Sequence, residues 1–558
     1  MILCRQDEIS RYTTSGAWDE ATLDDVFRRN VRATPDRQAV LDAPNRADIT
    51  SGPSLRLSYR ELDDEVDALA GALRTAGVGL DDIIVVQLPN IADLVALYLA
   101  IARLGAVISP VPVQHGPHEM DFVLGHLRPR LFVTTDHFKG HDLAAQAQAA
   151  AAKHSCPIFT YRAAAGPHID GCLDALKVSG GIERSKATAN DILTICWTSG
   201  TESTPKAVPR SHNNWFAISR GKQALPGERF LSAFPLVNMG SIGGIFFPWL
   251  LSGGSLALHH PFDVQVFLGQ IEAEGINYSS APPTILQRLL DNADLLEATD
   301  LSTLRALGSG AAPIPPHLVA EFRDRFGVEV INTYASNEGA ILVSGPEDFA
   351  DPVKRVSYFP RLGIAGLDWA TPVAAYVETR LVDLESEQDI QNRGVVGELR
   401  FRGPTVFPGY FEQPDLTENA FDSEGYYRTG DLFEFTGEGE PAPFYRFISR
   451  VKEIIVRGGM KISPAELEAA LGACPGVQDI AVVGRPDKEM GERVVAVAVS
   501  QQTPLLTRDS LIAFLKREGF ASYKIPEFLV LCAEIPRNPV GKIVREEVRL
   551  MANSAART

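Results

Sequence analysis

Apolar positions along the first part of the chain alternate between helical spacing and buried-strand runs. Leu62, Val66, Leu69 and Leu73 fall on one helical face. Ser58, with Glu61 three residues on, reads as a capping box before that helix, and Gly77 as its stop. Residues 82–88 (DIIVVQL) are a near-continuous apolar run closed by Pro89 and Asn90, as in a strand covered on both faces. Residues 92–104 read as a second helix ended by Gly105, and residues 106–113 as the next strand. The rhythm predicts an α/β architecture of stacked sheets and covering helices. Residues 144–153, rich in alanine, are helix-compatible, residues 192–197 read as a buried strand, and the chain after His212 reads as helix.

Near residues 449–453 the pattern changes to a small α+β one. Ser463 is placed to cap a helix with Pro464 at its first position and Glu466 at its third. Residues 477–484 and 493–500 read as strands. Residues 507–519 read as a helix with Asp509 early and Lys516 and Arg517 late, matching the helix dipole. The predicted division is a large N-terminal domain, residues 1–449, and a small C-terminal one, residues 450–558.

With 558 residues, 45% apolar and 22% charged, the chain can bury a large core. The net charge of −17 argues against a nucleic-acid surface. It is unevenly spread: residues 451–558 carry +2 and the first 450 carry −19. A neutral-to-basic end beside an acidic body suits an anionic ligand, and a solvated face explains it equally well. Cys4, Cys156, Cys172, Cys196, Cys474 and Cys532 are scattered, without a C-x-x-C pair, which points to a reduced, cytoplasmic chain and away from a zinc site. The start, MILCRQDEIS, turns charged before an apolar core forms, so no signal peptide is expected, and residues 243–258 are too short and interrupted to span a bilayer.

The richest chemistry lies in TICWTSGTESTPKAVPRSHNN, residues 194–214. Its hydroxyls, Gly200 and Lys206 suit a polyphosphate. It is not a Walker A loop. In the frame from Gly200, Pro205 stands where the second glycine belongs and Ala207 where the metal-binding hydroxyl belongs. No G-x-S-x-G elbow or H-E-x-x-H helix supports a hydrolase.

Further segments recur downstream in order: SGAAP (309–313), YASNE (334–338), GELRFRGPTVFPGY (397–410), YRTGDL (427–432), SRVKEIIVRGGMKISPAELE (449–468) and PRNPVGK (536–542). Together with the hydroxyl-rich loop they resemble the motif series of the adenylate-forming superfamily, which holds acyl- and aryl-CoA ligases, nonribosomal-peptide adenylation domains and beetle luciferases. The resemblance implies a large multi-sheet ATP- and acid-binding domain with a small mobile lid. It also implies activation of a carboxylate as acyl-AMP, since adenylation turns a poor leaving oxygen into a good one, a task of positioning and charge neutralisation.

Residue by residue, the resemblance implies that Thr198, Ser199, Gly200, Thr201 and Lys206 hold the β- and γ-phosphates of ATP. Gly310, Ala311 and Ala312 lie along the adenine, Asn332 meets its amino group, and Tyr334 covers the ring. Glu338 is the implied Mg²⁺ ligand, Asp431 and Arg450 the ribose contacts, and Lys542 the catalytic lysine at the α-phosphate and carboxylate. Lys452 matches the hinge, and Gly458 and Gly459 the wall of the pantetheine tunnel. Plain alternatives stand beside these roles: a turn for Asp431 or for Gly458 and Gly459, a helix-start acid for Glu338, a salt bridge for Arg450, and an exposed lysine for Lys452 or Lys542.

The chain also departs from the pattern. Glu202 and Ser203 replace Thr-Gly, Ala207 a glycine, Ala335 a glycine, and Asn337 the threonine before the metal glutamate. Glu202 has to turn away from a triphosphate, pair with a cation such as Arg210, or help to bind Mg²⁺. The segment FPLVNMGSIGGIFFPW (234–249) matches the stretch lining the acyl pocket. Pro235 stands where amino-acid adenylation domains carry aspartate, which disfavours an α-amino acid. Asn238 replaces a common histidine, and Gly240, Gly243 and Gly244 read as space beside an apolar wall, with ordinary helix packing as the alternative.

The expectation is an AMP-forming acid:CoA ligase for an apolar fatty, alicyclic or aryl acid, using Mg²⁺ with ATP and CoA as co-substrate, in a monomer or homodimer. The alternatives are an acyl-AMP ligase loading a carrier-protein phosphopantetheine and a non-catalytic nucleotide- or acyl-AMP-binding homologue.

Overall fold

The computed structural model of the chain describes residues 1–163, 169–177, 182, 185–198, 205–222, 224–310, 312–500, 506–538 and 541–554. Among these residues the N-terminal part is built on three large sheets, with a small two-stranded one formed by His137–Phe138 and His141–Asp142. In the seven-stranded sheet, Ile83–Gln87 lies between Val107–Pro110 and Leu131–Thr134, all parallel. All five of its residues are buried, as the unbroken apolar run requires. The edge is a hairpin: Ile192–Thr198 pairs antiparallel with Lys206–Ser211. The eight-stranded sheet runs from Ile341–Ser344 through Glu329–Ala335, Ala306–Gly310, Tyr278–Ser280, Arg229–Ser232 and Ser255–Leu258 to Gln38–Leu41 and Arg56–Ser58.

The helices packed on these two sheets follow the sequence signals. Ser58 caps Tyr59–Thr75 with Glu61 closing the box, and Leu62, Val66, Leu69 and Leu73 are buried. Ala92–Leu104 is buried on every side, which explains its lack of a polar face, and Gly105 ends it at φ +71°, where a β-carbon would be strained. The alanine-rich segment is the helix Leu143–Ala151, capped by Asp142.

A five-stranded antiparallel sheet, Phe359–Pro360 to Glu378–Val382, carries Tyr427–Thr436 and Phe444–Arg450 as neighbours. The C-terminal region has its own sheet and core: Asp479–Asp487 pairs antiparallel with Gly491–Val499, which also pairs parallel with Phe528–Cys532. Ser463 caps Pro464–Leu471 and Thr507 caps Arg508–Arg517, and both helices pack on that sheet. The fold is thus α/β with a large multi-sheet N-terminal domain and a small C-terminal one. Among the described residues no helix is long and apolar enough to cross a membrane.

The chain after His212 is the helix His212–Arg220, as its sequence reads, and the hydroxyl-rich loop reaches it through a further strand. Lys206–Ser211 intervenes as an edge strand, where Pro209 is tolerated because an edge strand leaves N–H positions unneeded. One expectation is corrected: Gly243 is not open space. A β-carbon there would lie 3.1 Å from Met239 Sδ and 3.2 Å from Ile218 and Trp215, so the glycine permits close packing on His212–Arg220.

Candidate functional site

The tips of three sheets and one C-terminal loop converge on a single cleft. Thr198 and Lys206 face each other as register partners at the end of the hairpin. The connecting Ser199, Gly200 and Thr201, together with Glu202 and Ser203, lie outside the described residues, as does Ala311. Lys206 Nζ stands 5.0 Å over the Tyr410 ring, and the Tyr410 hydroxyl donates to Glu338 Oε1 at 3.0 Å. Glu338 itself is only 7% exposed.

Asp431 and Arg450 are cross-strand partners, with Arg450 Nε 3.3 Å from Asp431 Oδ1. The Tyr334 hydroxyl donates to Asp431 Oδ2 at 2.6 Å. Burial, at 4% exposure, pushes the Asp431 carboxyl above its ordinary pKa, opposed by Arg450 and Tyr334. Asn332, behind Tyr334 on the same strand, donates from Nδ2 to the carbonyls of Arg355 and Val356 at 3.2 Å each. Those two bonds fix its amide with Oδ1 as the acceptor end. Gly310 closes its strand beside Thr333, and a β-carbon there would strike the Thr333 carbonyl at 2.1 Å. Ala312 is half-buried just beyond it.

Lys542 reaches this cleft from the C-terminal region. Its backbone is held by Asn538, whose N–H donates to the Lys542 carbonyl and whose Oδ1 accepts from Lys542 N–H at 2.9 Å. Arg537 is anchored by two bonds of 2.9 Å to Asp479. Gly541 lies beside Pro282, where a β-carbon would make an ordinary contact of 3.5 Å with that ring. Burial and the Arg450 charge lower the Lys542 pKa, while Asp431, Glu338 and Glu453 pull it back up. Five charged side chains drawn from four motifs therefore share one electrostatic environment.

The acid segment joins the same cleft through Asn337. Its Oδ1 accepts from Met239 N–H at 2.8 Å and its Nδ2 donates to the Trp197 carbonyl at 3.1 Å, tying the segment to the hairpin. Asn238 caps the short helix Met239–Ser241, accepting from the exposed Gly240 at 3.1 Å, and residues Ile242–Phe246 continue as a π-helix. Arg210, fully buried, donates to the Asn337 carbonyl at 2.9 Å and lies 4.9 Å over the Trp215 ring. Burial lowers its pKa to about 9 against the pull of Cys196 and Glu338, so it stays charged at neutral pH.

Elsewhere, Lys452 is exposed in the 3-10 turn Val451–Glu453, its carbonyl accepting from Arg549 at 3.4 Å. Gly458 and Gly459 form the exposed turn between Ile455–Arg457 and Met460–Ile462, at φ +56° and +79°, against Met490. Paired positive φ values are what a two-residue hairpin turn of this hand requires. Tyr410 and Asn337 join the site without a role that the motifs imply. Tyr410 closes a quoted motif, whereas the bridging by Asn337 has no local signal.

A family model described as AMP-binding enzyme matches residues 27–411, and one described as AMP-binding enzyme C-terminal domain matches residues 466–542. The chain belongs to the AMP-binding enzyme family. It is 30% identical over 545 residues to the medium-chain fatty-acid–CoA ligase of Escherichia coli (strain K12), covering 95% of this chain and 90% of that protein. It is 29% identical over 554 residues to triostin synthetase I of Streptomyces triostinicus, covering 98% and 97%. Among solved structures, ATP-bound MatB from Rhodopseudomonas palustris superposes with a TM-score of 0.79 at 25% identity, covering 95% of this chain and 99% of MatB. The chain is accordingly an adenylate-forming, ATP-dependent ligase of the acyl- and aryl-CoA ligase type.

Proposed function

We propose that this enzyme activates a carboxylic acid as its acyl-AMP and transfers the acyl group to CoA, releasing AMP and pyrophosphate. The observation carrying this reading is the convergence of Lys542 with Glu338, Asp431 and Arg450 across two domains. A cation delivered to a buried, carboxylate-lined cleft suits the charge that builds on an α-phosphate under attack by a carboxylate. Asp431 accepts the ribose hydroxyls with Arg450 beside it. Asn332 Oδ1 accepts from the adenine amino group. Tyr334 covers the base, while Gly310, Ala311 and Ala312 let it approach the backbone. Thr198, Ser199, Gly200, Thr201 and Lys206 hold the outer phosphates.

The fit of Mg²⁺ rests on the donor set. Among the described residues no group of three His, Cys, Asp or Glu side chains forms a metal cage. Glu338 offers one hard carboxylate close to where the phosphates would lie, and Mg²⁺ is characteristically held by one or two carboxylates plus phosphate oxygens. Bound there, the ion would supply charge neutralisation between the phosphates.

Asn238 and Gly240 belong to the wall against the acid, whose apolar side chains suit a fatty, alicyclic or aryl body. Rotation about Lys452 would exchange Lys542 for Gly458 and Gly459, which line the path of the CoA arm. The named activity of the Escherichia coli relative supports CoA as acceptor. The test is acid-dependent exchange of labelled pyrophosphate into ATP by the wild-type chain and Lys542→Ala. Exchange with wild type and its near loss in the variant is expected. Equal exchange in both removes Lys542 from the adenylation step.

A further inference from the structure

The eight-stranded sheet turns one face to the acid segment. On the strand Tyr278–Ser280, Tyr278 and Ser280 point to that face, since alternate residues share a side. Tyr278 packs in the same cluster as Met239, Ile242 and Ile245, whereas Leu231 and Leu307, from the flanking strands, belong to the cluster on the opposite face. Ser280 is the register partner of Gly308, whose lack of a side chain leaves room for the Tyr278 hydroxyl: a β-carbon at Gly308 would sit 2.3 Å from it.

This floor of the acid region holds polar groups without hydrogen-bond or carboxylate partners among the described residues. Ser280 is 6% exposed, and its Oγ is buried without a hydrogen-bond partner. The Tyr278 hydroxyl makes no hydrogen bond among the described residues. Lys222, half-buried at the end of the helix His212–Arg220, brings its ammonium 5.8 Å from the Tyr278 ring centre, with no carboxylate partner among the described residues. It enters beside the π-helix because Gly244 has no side chain: a β-carbon there would lie 3.1 Å from Lys222 Nζ. The nearby wall of Ile218, Ile341 and Val343 is apolar.

An ammonium and two hydroxyls without partners are unusual beside a packed core, because folded proteins satisfy nearly all such groups. A cation over an aromatic face recovers only part of what it loses on leaving water. Their placement on the acid-segment face gives them a natural complement in the substrate.

We propose that Lys222 is a specificity-determining residue, and that the acid carries a second oxygen-bearing group, anionic or hydrogen-bond accepting, at the end remote from the reacting carboxylate. Lys222 supplies charge to that group, and Tyr278 and Ser280 supply hydroxyl donors. The apolar wall accommodates the body between the two ends. This rests on the adenylation reading above and narrows its acid from purely apolar to apolar with a polar tail.

The test uses the full-length enzyme with ATP and Mg²⁺, measuring pyrophosphate release for matched acids: hexanoate and adipate, octanoate and suberate, benzoate, terephthalate and 4-hydroxybenzoate. The carboxylate and phenol arms separate the two sources of the distal oxygen. Wild type is expected to favour the polar-tailed acid in at least one set. Lys222→Met should cut that preference in kcat/KM about tenfold or more, and Lys222→Arg should keep it. Pyrophosphate release from the plain acids by Lys222→Met reports that the variant is folded. A preference ratio within about twofold of wild type in Lys222→Met overturns the role of Lys222 and leaves adenylation standing. Wild-type preference for the plain acid in every set does the same. Absence of pyrophosphate release with every acid overturns the adenylation reading, and the inference with it.

Discussion

Replacing Asp431 by alanine removes an acceptor that the structure places beside Tyr334 and Arg450. Its carboxylate is 4% exposed, receives the Tyr334 hydroxyl at 2.6 Å and lies 3.3 Å from Arg450 Nε. The remaining lone pairs suit a ribose diol, and each hydrogen bond to a charged group contributes roughly 1.5–3 kcal/mol. Two such bonds amount to about 3–6 kcal/mol, or two to four decades at about 1.4 kcal/mol each. The lower end applies, because Arg450 is 42% exposed and water can take up part of the loss. Asp431→Ala should therefore lower kcat/KM for ATP about 100-fold in pyrophosphate exchange, with the KM for the acid little changed. Asp431→Asn keeps the shape but not the charge and should fall between. A thermal melt separates loss of binding from loss of fold. Unaltered ATP kinetics with a raised KM for the acid would refute the ribose assignment.

Lys542→Ala should lose about 10²–10³-fold in adenylation yet still turn supplied acyl-AMP and CoA into acyl-CoA. Lys452→Pro, whose fixed φ hinders rotation, should show the reverse, and parallel loss of both half-reactions in each folded variant would sink the two-state lid. Because burial and Arg450 lower the Lys542 pKa, its charge is lost as pH rises at a value below the ordinary 10.5. The alkaline limb of adenylation should lie accordingly low and move upward in Lys542→Arg, and an identical limb in both would contradict that cause. His212 is fully buried, accepts from Leu23 N–H at 3.0 Å, and has its pKa lowered by burial from 6.5 to about 4. Its neutral form is favoured by the fold, so stability is intact above pH 6.5 and is lost as pH falls toward 4. The loss is on the order of 3 kcal/mol. His212→Asn should flatten that dependence in urea unfolding midpoints, and an unchanged slope would count against it.

How far the sequence reports the structure depends on where the determining contacts lie. Ser58 with Glu61, Ser463 with Glu466, and Gly105 act within one turn of helix, so their roles are visible in a short window. The buried strand Ile83–Gln87 announces itself because it is covered on both faces. The edge strand Lys206–Ser211 does not, since Pro209 and two cations, Lys206 and Arg210, mask its pairing. The motif order points to Asp431, Glu338 and Lys542 separately. That Tyr334 bonds Asp431 across 97 residues, or that Asn337 ties Trp197 to Met239, follows only from the packing of sheets. Arg210 is the extreme case, because nothing local marks a surface-type cation for complete burial. Gly243 shows the converse, a glycine whose spacing suggests room but whose neighbours already fill it.

The central claim is tested most directly by product stoichiometry. The purified enzyme is incubated with ATP, Mg²⁺, CoA and an acid it activates, and every product is quantified by mass spectrometry. The account predicts one acyl-CoA, one AMP and one pyrophosphate for each ATP consumed, with only acyl-AMP and pyrophosphate when CoA is left out. Formation of ADP and phosphate, or acyl-AMP that CoA never discharges but a phosphopantetheinylated carrier protein does, would contradict it.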